Sequence, residues 1–145
     1  MTNLMLAPAA ALVLWTMIVL LWMTATRFPA LMKLDAGGVA SAAPGGRYQD
    51  VEHRIDPRVN WKSHNYTHLM EQPTVFYPAV IILHLADAAT PLNLTLAWSY
   101  VGLRIAHSLW QALVNRIPVR IALFSLSSVC LLALAVNAAR VTLGV

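Results

Sequence analysis

The sequence predicts an all-α integral membrane protein that folds as a four-helix bundle, and three observations support this prediction. Of its 145 residues, 59% are hydrophobic and only 11% are charged, whereas soluble globular domains carry roughly 25% charged residues. Apolar stretches long enough to cross a bilayer recur along the chain. Most of the basic residues lie between these stretches. We therefore expect one domain, 1–145, with four spans joined mostly by short connections.

The first predicted span covers residues 4–26, which carry no charge before Arg27. This length is sufficient to cross about 30 Å of hydrocarbon. Pro8 is compatible with the first turn of a helix. The segment lacks the basic stretch that opens a signal peptide, so we interpret it as a retained first helix.

The next segment, 27–63, has a different composition. Gly, Ala, Pro and mixed charges dominate it without a sustained period, which predicts a solvent-facing loop. The second span is predicted over 64–86, with polar residues in its first turns. Pro73 and Pro78 should bend that helix or weaken its hydrogen bonding.

The third and fourth spans are predicted over 91–115 and 118–142. A short turn, 87–91, precedes the third span, and a tight connection, 116–118, separates it from the fourth. The single cysteine, Cys130, lies in an apolar run and is predicted to be a small buried residue.

The distribution of charge predicts the orientation. The turn 87–91 carries only Asp87, whereas Arg116 lies in the third connection. The positive-inside rule therefore makes the large first loop and the third connection cytoplasmic. This topology explains the net charge of +4. The sequence has no basic stripe with interleaved aromatic residues, so we do not predict a nucleic-acid partner. The basic residues of the first loop and its borders are Arg27, Lys33, Arg47, Arg54, Arg58 and Lys62.

A polar stripe interrupts the third span. Arg104, His107, Ser108 and Gln111 follow one another at i, i+3, i+4 and i+7, so they share one helical face. A guanidinium in hydrocarbon costs about 3 kcal/mol on insertion scales. The stripe must therefore face a partner, a water-filled cavity or an anionic ligand.

Polar residues of three spans are expected at one depth. At 1.5 Å per residue, Glu71 lies roughly 10 Å, His107 roughly 12 Å and Arg104 roughly 16 Å from the cytoplasmic end. Arg120 falls in the first turn of the fourth span, and Asn65 in the first turn of the second. This convergence predicts a polar pocket that opens to the cytoplasm. The structural alternative is that Glu71 and Arg104 form an ion pair with each other and need no ligand.

The residues His64, His68 and Glu71 have the spacing of metal ligands on one helical face. Ordinary polar residues at the solvent-exposed end of a helix can have the same spacing. We therefore predict no metal site. A proton path built on Glu71 and His107 has little support, because no second acidic residue continues a relay across the membrane.

Two blocks of sequence carry a resemblance. The first is NYTHLMEQP at 65–73, which continues to Tyr77, and the second combines RIAHS at 104–108 with NRIPVR at 115–120. On these motifs the chain resembles the MAPEG family, the membrane-associated proteins of eicosanoid and glutathione metabolism. It is most similar to a bacterial, microsomal glutathione transferase-like branch, which implies a multi-pass protein of the bacterial inner membrane.

The resemblance implies a homotrimer that holds glutathione as cosubstrate between neighbouring subunits. The substrate would be a lipophilic electrophile that arrives from the lipid bilayer. Arg120 would lie beside the glutathione sulfur, where a guanidinium favours the thiolate of a thiol with a free pKa near 8.5. The tripeptide-binding residues would be Asn65, His68, Glu71, Arg104, His107, Ser108 and Gln111.

Three positions depart from the family's pattern. His68 replaces an Asn found in many glutathione-using members, and Gln111 replaces a Tyr found in some. Ile121 stands where one prostaglandin-forming member has a serine next to the catalytic arginine, which argues against that specific reaction. These departures favour the alternative function, a non-catalytic membrane protein of the same fold whose polar cluster stabilises assembly or binds a lipid headgroup.

Overall fold

The computed structural model describes residues 4–34 and 44–144, and within these ranges the chain is all-helical, as predicted. Part of the predicted first loop, 35–43, lies outside the described residues. The described ranges contain six helices: α1 (Ala7–Met32), α2 (Gln49–Glu52), α3 (Pro57–Leu69), α4 (Pro73–Leu85), α5 (Pro91–Leu113) and α6 (Ile117–Leu143).

Proline determines where most of the helices begin. All the helices except α2 carry a proline in one of their first two positions. The missing N–H of proline costs nothing there, and its fixed φ suits the first turn. Two of these starts are also capped, because the Asp56 carboxylate accepts the amide of Arg58 at 2.8 Å and the Thr90 hydroxyl accepts the amide of Asn93 at 3.2 Å.

The chain from 57 to 85 forms two helices separated by a break. Helix α3 ends at Leu69 and α4 begins at Pro73, with residues 70–72 between them. Pro73 cannot donate a helical hydrogen bond and clashes with the preceding turn, so the interruption falls at this proline. Helix α3 also begins at Pro57, inside the segment that the sequence analysis interpreted as loop. The Asp56–Pro57 capping signal explains this start, although α3 carries too many polar residues to show an apolar period.

Helix α1 continues past residue 26, where the first predicted span ends, and this extension contacts the following segment. The Arg27 guanidinium donates to the Ser63 hydroxyl at 3.1 Å and lies over the ring of Tyr48. These contacts tie the end of α1 to α3 and to the residue that precedes α2.

Helix α5 lies centrally, in contact with α1, α3 and α6, while α4 packs against α6. The core is formed by side chains from several helices, and Phe76 of α4 stacks on Tyr100 of α5 with ring centroids 4.4 Å apart. Cys130 is buried, as predicted. Fully buried apolar side chains include Leu12, Val19, Leu83 and Leu134.

The outer surfaces of α1 and α6 are apolar. Both helices are long and apolar enough to cross a membrane, yet only 22% of the most apolar stretch of α1 and 17% of that of α6 are buried. Large side chains such as Leu14, Leu21, Val129 and Leu132 therefore point outward. Such faces are suited to contact with a lipid bilayer.

Candidate functional site

The polar stripe predicted on the third span is buried along one face of α5. Arg104 and Ser108 are fully buried, and His107 and Gln111 are each 2% exposed. This face packs against α3, which brings the stripe to the polar residues of that helix. A buried polar side chain is costly unless it finds partners, so the partners of each member are informative.

Arg104 finds partners for only part of its guanidinium. Its Nη2 donates to the carbonyl oxygen of His68 at 2.8 Å and lies 3.3 Å from Nδ1 of the same residue. Nε and Nη1 are buried without a hydrogen-bond partner among the described residues. Among the described residues, Glu71 and Arg104 do not form an ion pair within 4 Å. The pairing of these two residues, considered above as the structural alternative, is therefore not found there.

Ser108 and Asn65 form a contact between three helices. The Asn65 amide donates to the Ser108 hydroxyl at 2.7 Å, and the Trp15 indole donates to the same oxygen at 3.1 Å. The contact therefore ties α1, α3 and α5 together. Neither Ser108 nor Asn65 lines a described cavity, although the Asn65 Oδ1 is buried and unpaired among the described atoms.

Four other predicted site residues line a cavity of about 350 Å³, which we call the polar cavity, whereas Arg104 and His107 do not line it. Glu71 from the α3–α4 break, Gln111 from α5 and Arg120 from α6 line it together with His68. Gln111 contributes a buried Oε1 that has no partner within the described ranges. The walls are completed by Tyr48, Gln49, Glu52, Ser63, His64 and Thr67.

Arg120 lies where the polar cavity meets a second cavity. Its Nη1 donates to the Asn115 side-chain oxygen at 2.8 Å, while its Nε is buried and unpaired in the described part of the chain. Asn115 has a positive φ of 56°, which allows the tight turn between α5 and α6 that brings these two residues together. The second cavity encloses about 290 Å³ and adds Ile117, Ile121 and Phe124 to the lining.

Two histidine rings separate Arg104 from Arg120. His68 and His107 stack with centroids 5.0 Å apart and an interplanar angle of 28°. The edge of Phe124 packs on His68 with ring centroids 5.4 Å apart. Both imidazoles line the second cavity, and His68 lines the polar cavity as well. His68, together with Arg120, is thus common to the two cavities.

Four residues of the polar cavity, Tyr48, Gln49, Glu52 and Ser63, were missed by the sequence analysis because they lie in the predicted loop. The Tyr48 hydroxyl donates to the Asn60 side-chain oxygen at 2.5 Å, and Glu52 forms an ion pair with His64. Burial raises the pKa of the Tyr48 phenol above its usual value, so the hydroxyl keeps its proton and can donate. The capping signal at Asp56 predicts α3, but nothing in the sequence indicated that Tyr48 and Glu52 fold back onto it.

The metal-like spacing of His64, His68 and Glu71 does not form a cluster. Glu71 lies in the break after α3, and His64 is paired with Glu52. Within residues 4–34 and 44–144, no group of three His, Cys, Asp or Glu side chains is arranged to hold a metal ion.

The arrangement can bind a small molecule that carries charges of both signs. Arg104 and Arg120 keep unused guanidinium donors, Gln111 keeps an unused acceptor, and Glu71 is exposed at the rim. Unpaired buried donors are costly, and an anion that accepts from them removes this cost. The apolar residues Ile121 and Phe124 beside Arg120 extend the lining toward an apolar molecule.

Comparison with known proteins identifies the family of the chain. No curated protein and no solved structure matches the chain. A model of the MAPEG family matches residues 5–140, and this range contains all six helices except the last turn of α6. Since the match covers nearly the whole sequence and includes both motif blocks, the chain belongs to the MAPEG family.

Proposed function

We propose that this chain is a membrane-embedded glutathione-dependent transferase or peroxidase that acts on a lipophilic electrophile. The family is membrane-associated, and it includes glutathione-dependent transferases and peroxidases as well as non-catalytic members. The observation that carries the proposal is the pair of buried, unpaired polar atoms on Gln111 and Arg120, which line the polar cavity, with further unpaired donors on Arg104 behind His68. A charged tripeptide would supply the partners that these atoms lack.

The proposed assembly is a homotrimer of four-span subunits in a bacterial inner membrane, with the first loop cytoplasmic. MAPEG proteins are generally trimeric and commonly use glutathione. In this arrangement α1, α5 and α6 each form one crossing, and α3 together with α4 forms the other. The nearest relatives would then be bacterial, microsomal glutathione transferase-like members, as the two motif blocks imply.

Glutathione would occupy the polar cavity. Glu71 would receive its amino group, and Gln111 would accept from one of its amides. Arg104 and His107 would support the carboxylate end through His68, which lines the cavity, since Arg104 contacts His68 and the His107 ring stacks on it. Asn65 and Ser108 would hold the helices in register, through the contact that they make with Trp15.

Arg120 would be the catalytic residue. Its guanidinium lies between the polar cavity and the more apolar second cavity, where a thiol and an apolar electrophile would meet. A cation beside the sulfur favours the thiolate. The thiol releases its proton to water, the thiolate sulfur forms a bond to the electrophilic carbon, and the leaving group departs with the electron pair of the broken bond. Ile121 and Phe124 would contact the apolar substrate as it enters from the bilayer.

A glutathione titration of the purified protein in detergent tests the proposal. We expect saturable binding by the wild type and about tenfold weaker binding by Gln111→Leu, because the leucine cannot accept a hydrogen bond from the ligand. The unliganded variant should unfold at the same temperature as the wild type or higher, since the lost acceptor is buried and unpaired there. Arg140→Gln, on the exposed end of α6, is the matched control and should bind normally.

The second candidate is a non-catalytic protein whose polar cluster stabilises the assembly or binds a lipid headgroup. The hydrogen bonds that join Asn65, Ser108 and Trp15 across three helices favour it. Under this alternative, the wild type does not bind glutathione saturably and Gln111→Leu destabilises the protein without ligand. The titration and the melting curve therefore separate the two functions.

A further inference from the structure

We propose that a cavity on a different part of the molecule binds the phosphate of an anionic phospholipid at the membrane surface. This basic cavity encloses about 520 Å³ where α3 meets the end of α5. None of its lining residues lines the polar cavity or the second cavity. The residues that the argument uses are Arg58, Trp61, Lys62, Leu113, Val114 and Arg116.

Three cations converge on this cavity from two elements. Arg58 and Lys62 lie one turn apart on α3, and Arg116 comes from the connection between α5 and α6. The described ranges contain a single ion pair, His64–Glu52, so none of the three cations has a carboxylate within 4 Å there. Like charges held around one volume repel one another, and an anion between them removes that repulsion.

The end of α5 does not account for these cations. Basic side chains often bind the free carbonyl groups at a helix C-terminus. Here the Lys62 ammonium donates instead to the carbonyl oxygen of Arg58 at 2.7 Å and lies 5.6 Å over the ring of Trp22. The guanidinium groups of Arg58 and Arg116 make no hydrogen bond to α5 in the described part of the chain. Their donors are therefore available to a ligand.

The backbone fixes the position of Arg116. The positive φ of Asn115 produces a tight turn after α5, and the Trp110 indole donates to the carbonyl oxygen of Arg116 at 3.3 Å. Because the turn is held on both sides, the backbone of Arg116 is fixed at the cavity that Arg58 and Lys62 also line. The basic cavity is thus preorganised for an anion.

The apolar rim indicates that the anion is carried by a lipid. Leu113 is 59% exposed, Val114 is 43% exposed, and Ile117 next to them is 64% exposed. The indole of Trp61 lines the same cavity and is partly buried. Tryptophan at headgroup level beside basic residues is typical of a membrane–water interface. Acyl chains would cover the apolar rim while the phosphate lies among the cations, whereas free phosphate would leave the rim exposed.

Native mass spectrometry of the protein in neutral detergent tests this proposal, with phosphatidylglycerol and phosphatidylcholine as probes. We expect the wild type to prefer phosphatidylglycerol. Each cation near a membrane surface contributes about a fivefold factor in affinity, so Arg58→Gln with Arg116→Gln should weaken phosphatidylglycerol binding roughly 25-fold. The double replacement Arg58→Lys with Arg116→Lys keeps the charges and should retain the preference.

Two controls identify the site and the ligand. Arg54→Gln removes an exposed charge outside the cavity, and Gln111→Leu alters only the polar cavity, so both should bind phosphatidylglycerol like the wild type. An unchanged preference in the Arg58/Arg116 glutamine variant, or its loss in Gln111→Leu, would overturn the proposal. Displacement of the lipid by an equal concentration of inorganic phosphate would overturn its lipid part. If the double variant fails to fold, Arg116→Gln alone decides, with about a fivefold loss expected.

Discussion

The two ends of α5 both bury polar side chains, but they differ in how those side chains are satisfied. At the start of the helix, Asn93 donates to the carbonyl oxygen of Ala88 at 2.9 Å and accepts the side-chain amide of Asn137 at 2.7 Å. Toward the other end, Arg104 and Gln111 keep buried atoms without a partner among the described residues. We call these regions the closed end and the open end.

The difference teaches that burial of polar groups has two separate meanings in this molecule. At the closed end, hydrogen bonds among protein groups join α5 to α6 and to the preceding turn, which is a structural role. At the open end, the amide oxygen of Gln111 is unpaired among the described residues and lies beside the polar cavity. An unpaired buried group in a folded protein calls for an explanation, and a ligand provides one. The predictions below test this contrast.

The largest effect is expected at the open end, in Arg120→Ala. Loss of the guanidinium beside the proposed thiolate should lower thiol transfer to a lipophilic electrophile about a hundred- to a thousandfold. Turnover with a chromogenic electrophile and glutathione measures this loss. Size-exclusion chromatography should show an unchanged oligomer, because within the described ranges the Arg120 guanidinium makes a single hydrogen bond, to the nearby Asn115.

The matched control for this prediction lies on the same helix. Arg140 is exposed and lines a cavity beside Asn93 and Asn137, far along α6 from Arg120. Arg140→Ala removes the same charge from the closed end and should keep wild-type turnover. Equal turnover by the wild type and Arg120→Ala would remove Arg120 from the mechanism.

At the closed end we expect a smaller effect, which changes stability and leaves ligand binding unchanged. Asn93→Leu breaks two hydrogen bonds and leaves the Asn137 amide and the Ala88 carbonyl without their partner. We expect a loss of stability of about 2 kcal/mol, measured as thermal unfolding in detergent. The affinity of the folded protein for glutathione should not change.

The variant to compare with Asn93→Leu is Gln111→Leu, which replaces a buried amide side chain by leucine at the open end. There the buried oxygen has no partner to lose within the described ranges. If both leucine variants destabilise the unliganded protein equally, the contrast between the two ends of α5 fails.

At the open end, the sequence predicted which residues of a single helix, α5, share one face. The spacing of Arg104, His107, Ser108 and Gln111 places them on one face, and the structure buries that face. Periodicity cannot indicate which of these side chains find partners, because partners come from other helices. The family resemblance implied the same role for Ser108 and Gln111, whereas Ser108 accepts two hydrogen bonds and Gln111 lines the cavity.

The sequence predicted less where the chain changes direction. The stripe of His64, His68 and Glu71 assumed one continuous helix, but the break before Pro73 places Glu71 outside α3. Composition alone suggested that 27–63 is a loop, because its polar content conceals a helical period. Helices α2 and α3 begin inside this segment, and only tertiary contacts reveal which of its residues reach the cavity.

The smallest effect is expected from Tyr48→Phe. This variant tests whether the Tyr48 hydroxyl is satisfied by protein groups, as at the closed end, or serves ligand binding, as at the open end. The hydroxyl of Tyr48 donates to Asn60 at 2.5 Å, and the ring lies under the Arg27 guanidinium. Phenylalanine keeps the ring and removes only the donor, so the expected cost is about 1 kcal/mol in thermal unfolding. Because the hydroxyl is already paired within the protein, glutathione affinity should be unchanged. A tighter or weaker glutathione complex without a change in stability would instead assign Tyr48 to ligand binding, together with Gln111.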